Sequence, residues 1–173
     1  MDIVLMVAQA LWFIWPAYCA NAFPVIVHGK KPIDGGKFFG KNRLLGSSKT
    51  VEGTIAGVSF GVFIGIIQIM VYNYIPKDIG LIEFSIPLII VLSVGALMGD
   101  IVGSFIKRRF GMKPGDPAIL LDQLDFLIMA LILASPLYLP SAGKVLILIV
   151  LTPLIHLIMN IIGFMLKFKK KPW

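Results

Sequence analysis

Residues 99–109 read Gly99-Asp100-Ile101-Val102-Gly103-Ser104-Phe105-Ile106-Lys107-Arg108-Arg109, and beyond them come Lys113-Pro114-Gly115-Asp116 and Leu121-Asp122-Gln123-Leu124-Asp125. An apolar segment long enough to cross a bilayer carries an aspartate in its last turns and ends in a basic cluster. A second apolar segment then opens with two more aspartates. An ionised Asp near the middle of a spanning helix costs roughly 2.5–3.5 kcal/mol on insertion scales, so three of them around one loop require compensating positive charge. Asp100, Ser104 and Lys107 stand at i, i+4 and i+7, on one side of a helix, with Asp100 roughly 10 Å of rise inside the Lys107 end. Asp122 and Asp125 share a face one turn apart, where their charges repel. Such a carboxylate cluster suits a hard divalent cation such as Mg²⁺, with Asp100, Asp122 and Asp125 as candidate ligands. Salt bridges to Arg108 or Lys113 are the plain structural alternative.

Composition agrees with a lipid setting. Of 173 residues, 58% are hydrophobic and only 14% charged, and mean hydropathy is +0.92, which describes an integral membrane protein rather than a soluble domain. The length admits several spanning helices and short connections but no separate soluble domain, so residues 1–173 are expected to form one membrane-embedded domain. The single cysteine, Cys19, excludes a disulfide framework and any multi-cysteine metal site. Met1-Asp2 lacks the basic start of a secretory signal, so the first apolar run is expected to be a retained helix.

Helices are expected over residues 3–22, 51–74, 85–106, 119–139 and 143–166, the first kinked at Pro16. In the second, Gly53, Gly57, Gly61 and Gly65 recur every four residues and form a packing stripe, because small residues let helices approach closely in lipid. Five crossings put alternate loops on opposite sides. Fourteen of the sixteen Lys and Arg residues fall on one side, in the first loop, the third loop and the tail with Lys167, Lys169, Lys170 and Lys171. The positive-inside bias assigns that side to the cytoplasm and the N-terminus to the outside. The expected fold is therefore an all-α integral membrane protein with five transmembrane helices and a cytoplasmic C-terminus. Its long first and third polar loops lie on the cytoplasmic side. Asp34, Glu52, Asp100, Asp116, Asp122 and Asp125 gather on the same side, which the positive-inside bias does not explain. Asp116, between Gly115 and Pro117, also suits a simple turn.

The first loop offers complementary chemistry. Gly35-Gly36-Lys37-Phe38-Phe39-Gly40-Lys41-Asn42 nearly matches a P-loop, but Asn42 stands where Ser or Thr should hold magnesium and no strand precedes it, so that reading fails. Gly46-Ser47-Ser48-Lys49-Thr50-Val51-Glu52-Gly53 places hydroxyls and a lysine directly before a helix N-terminus, which favours anions. It suits a phosphate cradle. A plain cap by Ser48 or Thr50, with Glu52 near the positive end of the helix dipole, accounts for the same residues.

Two blocks together, Ser48-Lys49-Thr50-Val51-Glu52-Gly53 and Gly99-Asp100 through Ser104, Lys107, Arg108, Lys113, Asp122 and Asp125, resemble the membrane-embedded CTP-dependent phosphatidate cytidylyltransferases. The match covers about a third of the chain. Bacterial members are longer and carry His-Gly-Gly before the first closing aspartate and Arg after it, whereas Ile119-Leu120-Leu121 and Gln123 occupy those places here. The chain is thus similar to the small archaeal branch, the CDP-archaeol synthases. The resemblance implies attack by an unsaturated archaeal ether-lipid phosphate, 2,3-bis-O-geranylgeranylglyceryl phosphate, on the α-phosphorus of CTP, releasing pyrophosphate. Such transfers need charge neutralisation and in-line positioning more than covalent chemistry. The implied catalytic set is Lys49, Asp100, Lys107, Arg108, Asp122 and Asp125, with Mg²⁺ on Asp100, Asp122 and Asp125. Ser48, Thr50, Glu52, Gly53, Ser104, Lys113 and Asp116 are implied to bind substrate. The implied partners are CTP, the lipid phosphate and the membrane, with no nucleic acid and with room for a homodimer. The active site is expected to face the cytoplasm from a multi-pass protein of the cell membrane.

Three other classes offer contrasts. A cation or phosphate transporter would want polar groups at the membrane midplane and, commonly, repeated broken helices. A CDP-alcohol phosphotransferase needs glycine directly after its second aspartate, where Phe126 stands. A non-catalytic lipid or nucleotide sensor would share the binding residues but show no turnover. His156 falls near mid-membrane, where a structural hydrogen bond is the expected role. His28 is assigned no role. Trp12, Trp15, Tyr72 and Tyr74 read as interface or packing residues.

Overall fold

The structure, a computed structural model, describes residues 2–27, 29–113, 116–118 and 120–168. His28, Pro114, Gly115, Ile119 and the tail residues Lys169, Lys170, Lys171 and Trp173 lie outside the described residues. Five α-helices follow in order: α1 Ile3–Ala22, α2 Val51–Tyr72, α3 Ile86–Arg109, α4 Leu121–Ala134 and α5 Ala142–Met165. Their starts are set by short polar side chains. Asp2 Oδ1 accepts from the Val4 N–H at 2.9 Å, Thr50 Oγ1 from the Gly53 N–H at 3.2 Å, and Ser85 Oγ from the Leu88 N–H at 3.4 Å. α1 runs on through Pro16.

Among the described residues, four helices are long and apolar enough to cross a membrane: α1, α2, α3 and α5. α4 differs from the 119–139 helix expected from sequence. It has 14 residues, about 21 Å of rise, against a hydrocarbon core of about 30 Å. Pro136 explains the early end, since it has no N–H to donate to the Ile132 carbonyl one turn back, which instead accepts from Ser135 Oγ at 2.8 Å.

Two glycine stripes hold the bundle together. Gly57, Gly61 and Gly65 of α2 are buried against α1 and α3, where a Cβ would come within 2.6 Å of Ala20 O, 2.5 Å of Ser93 Oγ and 2.3 Å of Ile89 Cγ2 respectively. The stripe expected on α2 is thus a packing face. The second stripe, Gly95, Gly99 and Gly103 on α3, brings α4 against α3. A Cβ on Gly99 would lie 2.2 Å from Asp125 O. Phe13, Ile14, Ile89, Leu92 and Leu127 fill the core, while large side chains such as Met70, Leu146 and Leu154 face outward, as lipid contact requires. α5 sits at the margin, with only Leu148 and Thr152 buried.

The first loop has more order than an irregular connection. β1 Phe38–Phe39 pairs antiparallel with β2 Asn42–Arg43, turning at Gly40 with φ +65°. A further bridge joins Pro32 to Thr50, so the loop folds back on the start of α2.

Candidate active site

Asp34 organises the first loop. Its buried carboxylate accepts five hydrogen bonds: Arg43 Nε at 3.1 Å, Arg43 Nη2 at 3.0 Å, and the N–H groups of Gly36, Leu45 and Gly46 at 3.0–3.1 Å. Burial works against the charge, but the guanidinium and three backbone donors outweigh it and hold the carboxyl well below the usual carboxylate range. The loop is tied in turn to the end of α3. Buried Arg108 donates through Nε to Leu45 O at 3.2 Å and through Nη1 to Met112 O, while Asn42 Nδ2 donates to Arg108 O at 3.0 Å. Arg109 donates to Phe39 O at 3.1 Å and Arg43 O at 2.9 Å.

This strapping sets the Ser48–Thr50 segment over α3. Lys49 Nζ reaches Asp100 Oδ2 at 2.5 Å, and both side chains are largely covered. Two turns further along the same face of α3, Lys107 Nζ pairs with Asp122 Oδ1, whose Oδ2 accepts from the Ala118 N–H at 3.0 Å. That bond also serves the start of α4, where Leu120 turns with φ +67°. Asp125 lies against Gly103, where a Cβ would stand 2.0 Å from Asp125 Oδ2; only glycine leaves room for this carboxylate. Asp100, Asp122 and Lys49 are the electrostatic neighbours of Asp125. The structure therefore gathers Lys49, Asp100, Lys107, Asp122 and Asp125 from both sequence blocks, with Ser104 buried on the same stretch of α3.

Other sequence-selected residues serve local geometry here. Thr50 caps α2, and the Glu52 carboxylate accepts the Lys31 N–H at 3.1 and 3.2 Å, so the capping account of this block holds. Ser48 is exposed and Gly53 buried beside Thr50. Asp116 Oδ2 accepts the Lys113 N–H at 2.6 Å, closing a turn, and the Lys113 side chain is exposed. Arg108 is engaged by backbone carbonyls rather than facing an open site. His156 Nδ1 lies 3.1 Å from Asn160 Nδ2 one turn on, a structural contact of the expected kind.

Sequence reading missed Asp34, Asn42, Arg109 and the α3 stripe. Gly95, Gly99 and Gly103 repeat the four-residue spacing already visible on α2, which was the available signal. Asp34 gave none, because three of its donors are backbone groups and Arg43 is one basic residue among several in the loop.

No group of three or more His, Cys, Asp or Glu among the described residues stands ready to hold a metal ion, and lysines occupy Asp100 and Asp122. The donor chemistry still fits a hard divalent cation. Carboxylate oxygens from facing turns of α3 and α4 are the available donors, and two of them already bind a cationic group. A recess of about 30 Å³ lies beside Ser48, Lys49, Thr50, Thr54 and Asp100, room for a water rather than a nucleotide. A larger apolar groove of about 510 Å³ runs between α1 and α2 near Trp12, Trp15 and Gln68, at the other end of the bundle. It offers no charge chemistry.

Comparison with known proteins bears on this site. Residues 2–173 match the model of a family described as CarS-like, CDP-archaeol synthase. A CDP-archaeol synthase of Thermococcus gammatolerans is 47% identical over 95% of both chains, and one of Methanococcus maripaludis is 46% identical over the full length of both. A solved structure, described as an intramembrane enzyme for archaeal membrane lipids biosynthesis, superposes with a TM-score of 0.79 at 35% identity. It covers 90% of this chain and 94% of its own.

Proposed function

The chain belongs to the CarS-like CDP-archaeol synthase family, and on that basis we propose that residues 1–173 form one membrane-embedded domain joining CTP to an ether-lipid phosphate at its cytoplasmic end. The protein is a CTP-dependent cytidylyltransferase of archaeal membrane-lipid biosynthesis, and its product is CDP-archaeol. Its spanning-length helices make it a multi-pass membrane protein. In the finer reading, the substrate is 2,3-bis-O-geranylgeranylglyceryl phosphate, α4 completes a fifth crossing, and the N-terminus lies outside. A homodimer fits the same reading.

The observation that carries the site assignment is the convergence of two lysine–carboxylate pairs, Lys49 with Asp100 and Lys107 with Asp122, from the two blocks. A phosphate oxygen of the lipid attacks the α-phosphorus of CTP. The bond to the β-phosphate bridging oxygen breaks, and pyrophosphate leaves. The lipid phosphate is already anionic near neutral pH, so no strong base is needed. Lys49 and Lys107 turn from their carboxylates to the triphosphate, where their charge offsets what builds up on the leaving group. The family is generally dependent on a divalent metal. Here Asp100, Asp122 and Asp125 would hold Mg²⁺, which supplies charge neutralisation at the phosphates when bound. Arg108 keeps the first loop seated on α3, and releasing its backbone contacts would free it for phosphate. Ser48, Thr50, Glu52, Gly53, Ser104, Lys113 and Asp116 form the surrounding substrate-binding set. In this reading the nucleotide lies over the mouth of the recess, which is too small to admit it.

The test is CTP-dependent pyrophosphate release by purified protein, with and without the lipid phosphate and Mg²⁺, comparing wild type with Asp122→Asn. Release that requires lipid, CTP and metal and is lost in the variant supports the assignment. Equal release from both proteins removes Asp122 from catalysis.

A further inference from the structure

The β1–β2 hairpin presents two consecutive aromatic side chains to its surroundings. Phe38 and Phe39 are 68% and 64% exposed, and Phe110, directly after α3, is 80% exposed. In water, two neighbouring rings this exposed on a short hairpin are unfavourable. Its height relative to the bilayer follows from Arg109. The Arg109 guanidinium lies 4.8 Å from the Phe39 ring and 4.9 Å from the Phe105 ring, so Phe39 stands level with the last turns of a membrane-crossing helix. Lys37 and Lys41 flank the aromatic pair and are exposed, which adds positive charge at the same level.

We propose that the Phe38–Phe39 hairpin is an interfacial foot that rests in the headgroup layer of an anionic leaflet. Aromatic rings favour the boundary between headgroups and chains, and neighbouring lysines favour anionic lipid. The foot is rigidly connected to the catalytic end. Asp34 grips Arg43 of the hairpin and the N–H groups of Leu45 and Gly46 with the same carboxylate, two residues short of Ser48. Seating the hairpin in the leaflet therefore sets the height of Ser48, Lys49 and Thr50 at the plane of lipid phosphates. That the leaflet is the cytoplasmic one rests on the topology proposed above; the seating itself does not.

The test uses the full chain with Cys19→Ala, carrying a spin label at Phe38→Cys, in nanodiscs of phosphatidylcholine and phosphatidylglycerol. Both faces of a nanodisc are open, and no turnover is read, so the depth measurement can fail while cytidylyl transfer stands, and the reverse. The expected result is a label shielded from a water-soluble nickel relaxant and reached by oxygen, at a depth just below the phosphates, with a Lys41→Cys label nearer water. A label at 38 as open to nickel as a fully aqueous site overturns the proposal. So does spin–spin broadening that reveals a second copy of the chain covering the patch. As a second readout, Phe38→Ser combined with Phe39→Ser should raise KM for the lipid about tenfold and leave KM for CTP unchanged. An unchanged lipid KM would also count against the foot.

Discussion

Lys49 Nζ lies 2.5 Å from Asp100 Oδ2, joining the loop ahead of α2 to the last three turns of α3. The two residues belong to different sequence blocks 51 positions apart, so the contact closes the candidate site. Lys49→Gln should lower kcat about 100-fold or more, because a cation aimed at developing phosphate charge is removed. Steady-state kinetics in detergent micelles would check this. A loss confined to thermal stability, with kcat intact, would reduce the pair to a structural tie.

Removing divalent metal should stop turnover, and Mg²⁺ should restore it. The lysine pairs add a finer expectation. Without nucleotide, an ammonium competes with metal for Asp100, so Lys49→Met should bind Mn²⁺ several-fold more tightly than wild type, as read by electron paramagnetic resonance. Equal Mn²⁺ affinity in the two proteins would show that Lys49 does not guard the carboxylate.

Two glycines on α3 should respond differently to the same change. A Cβ on Gly99 meets the backbone of Asp125 and Phe126, which cannot yield without parting α3 from α4. Gly99→Ala should therefore lose about 1–3 kcal/mol of stability. A Cβ on Gly103 meets the Asp125 carboxylate instead, the free end of a side chain. Gly103→Ala should keep the fold and lose activity by displacing Asp125. Thermal unfolding alongside kinetics separates the two cases, and similar profiles for both variants would refute the distinction.

The Asp34 carboxyl sets a pH window for the first loop. Its folded pKa lies below the ordinary value near 3.9, so its contribution is fully present above that value and declines as pH falls toward the folded pKa. Protection of the Leu45 and Gly46 amides from hydrogen exchange, corrected for intrinsic rates, should be flat from neutral pH to about pH 4 and then fall. Asp34→Asn should weaken that protection at neutral pH as well, since it removes the charge that balances Arg43. Unaltered protection in the variant would mean that the loop is held elsewhere.

Much of the architecture can be read from residue patterns, because a helix in lipid must be long, apolar and internally hydrogen bonded. The extents of α1, α2, α3 and α5 follow from their apolar runs, and the α2 stripe from its glycine spacing. α4 is shorter than its hydropathy suggests because Pro136 removes a backbone donor from the helical ladder. Asp100, Asp122 and Asp125 could be singled out because charge in an apolar segment is conspicuous, Lys107 because it shares a helix face with Asp100, and Lys49 because it stands among hydroxyls directly before a helix N-terminus. Asp34 could not: one more acid in a polar loop looks ordinary until three backbone N–H groups turn toward it. Arg108 and Arg109 look like phosphate ligands or topology signals in a basic run, and only the folded loop reveals the carbonyls that they hold.

The sparse burial of α5 has a practical consequence for purification. α5 is seated through buried Leu148 and Thr152, partly buried Val145 and Ile147, and a 2.7 Å contact between Tyr18 Oη and Thr152 Oγ1, while most of its surface faces outward. With so shallow a seat, this helix should be the first to part from the bundle in harsh short-chain detergents, while mild surfactants or polymer-bounded native discs should retain it.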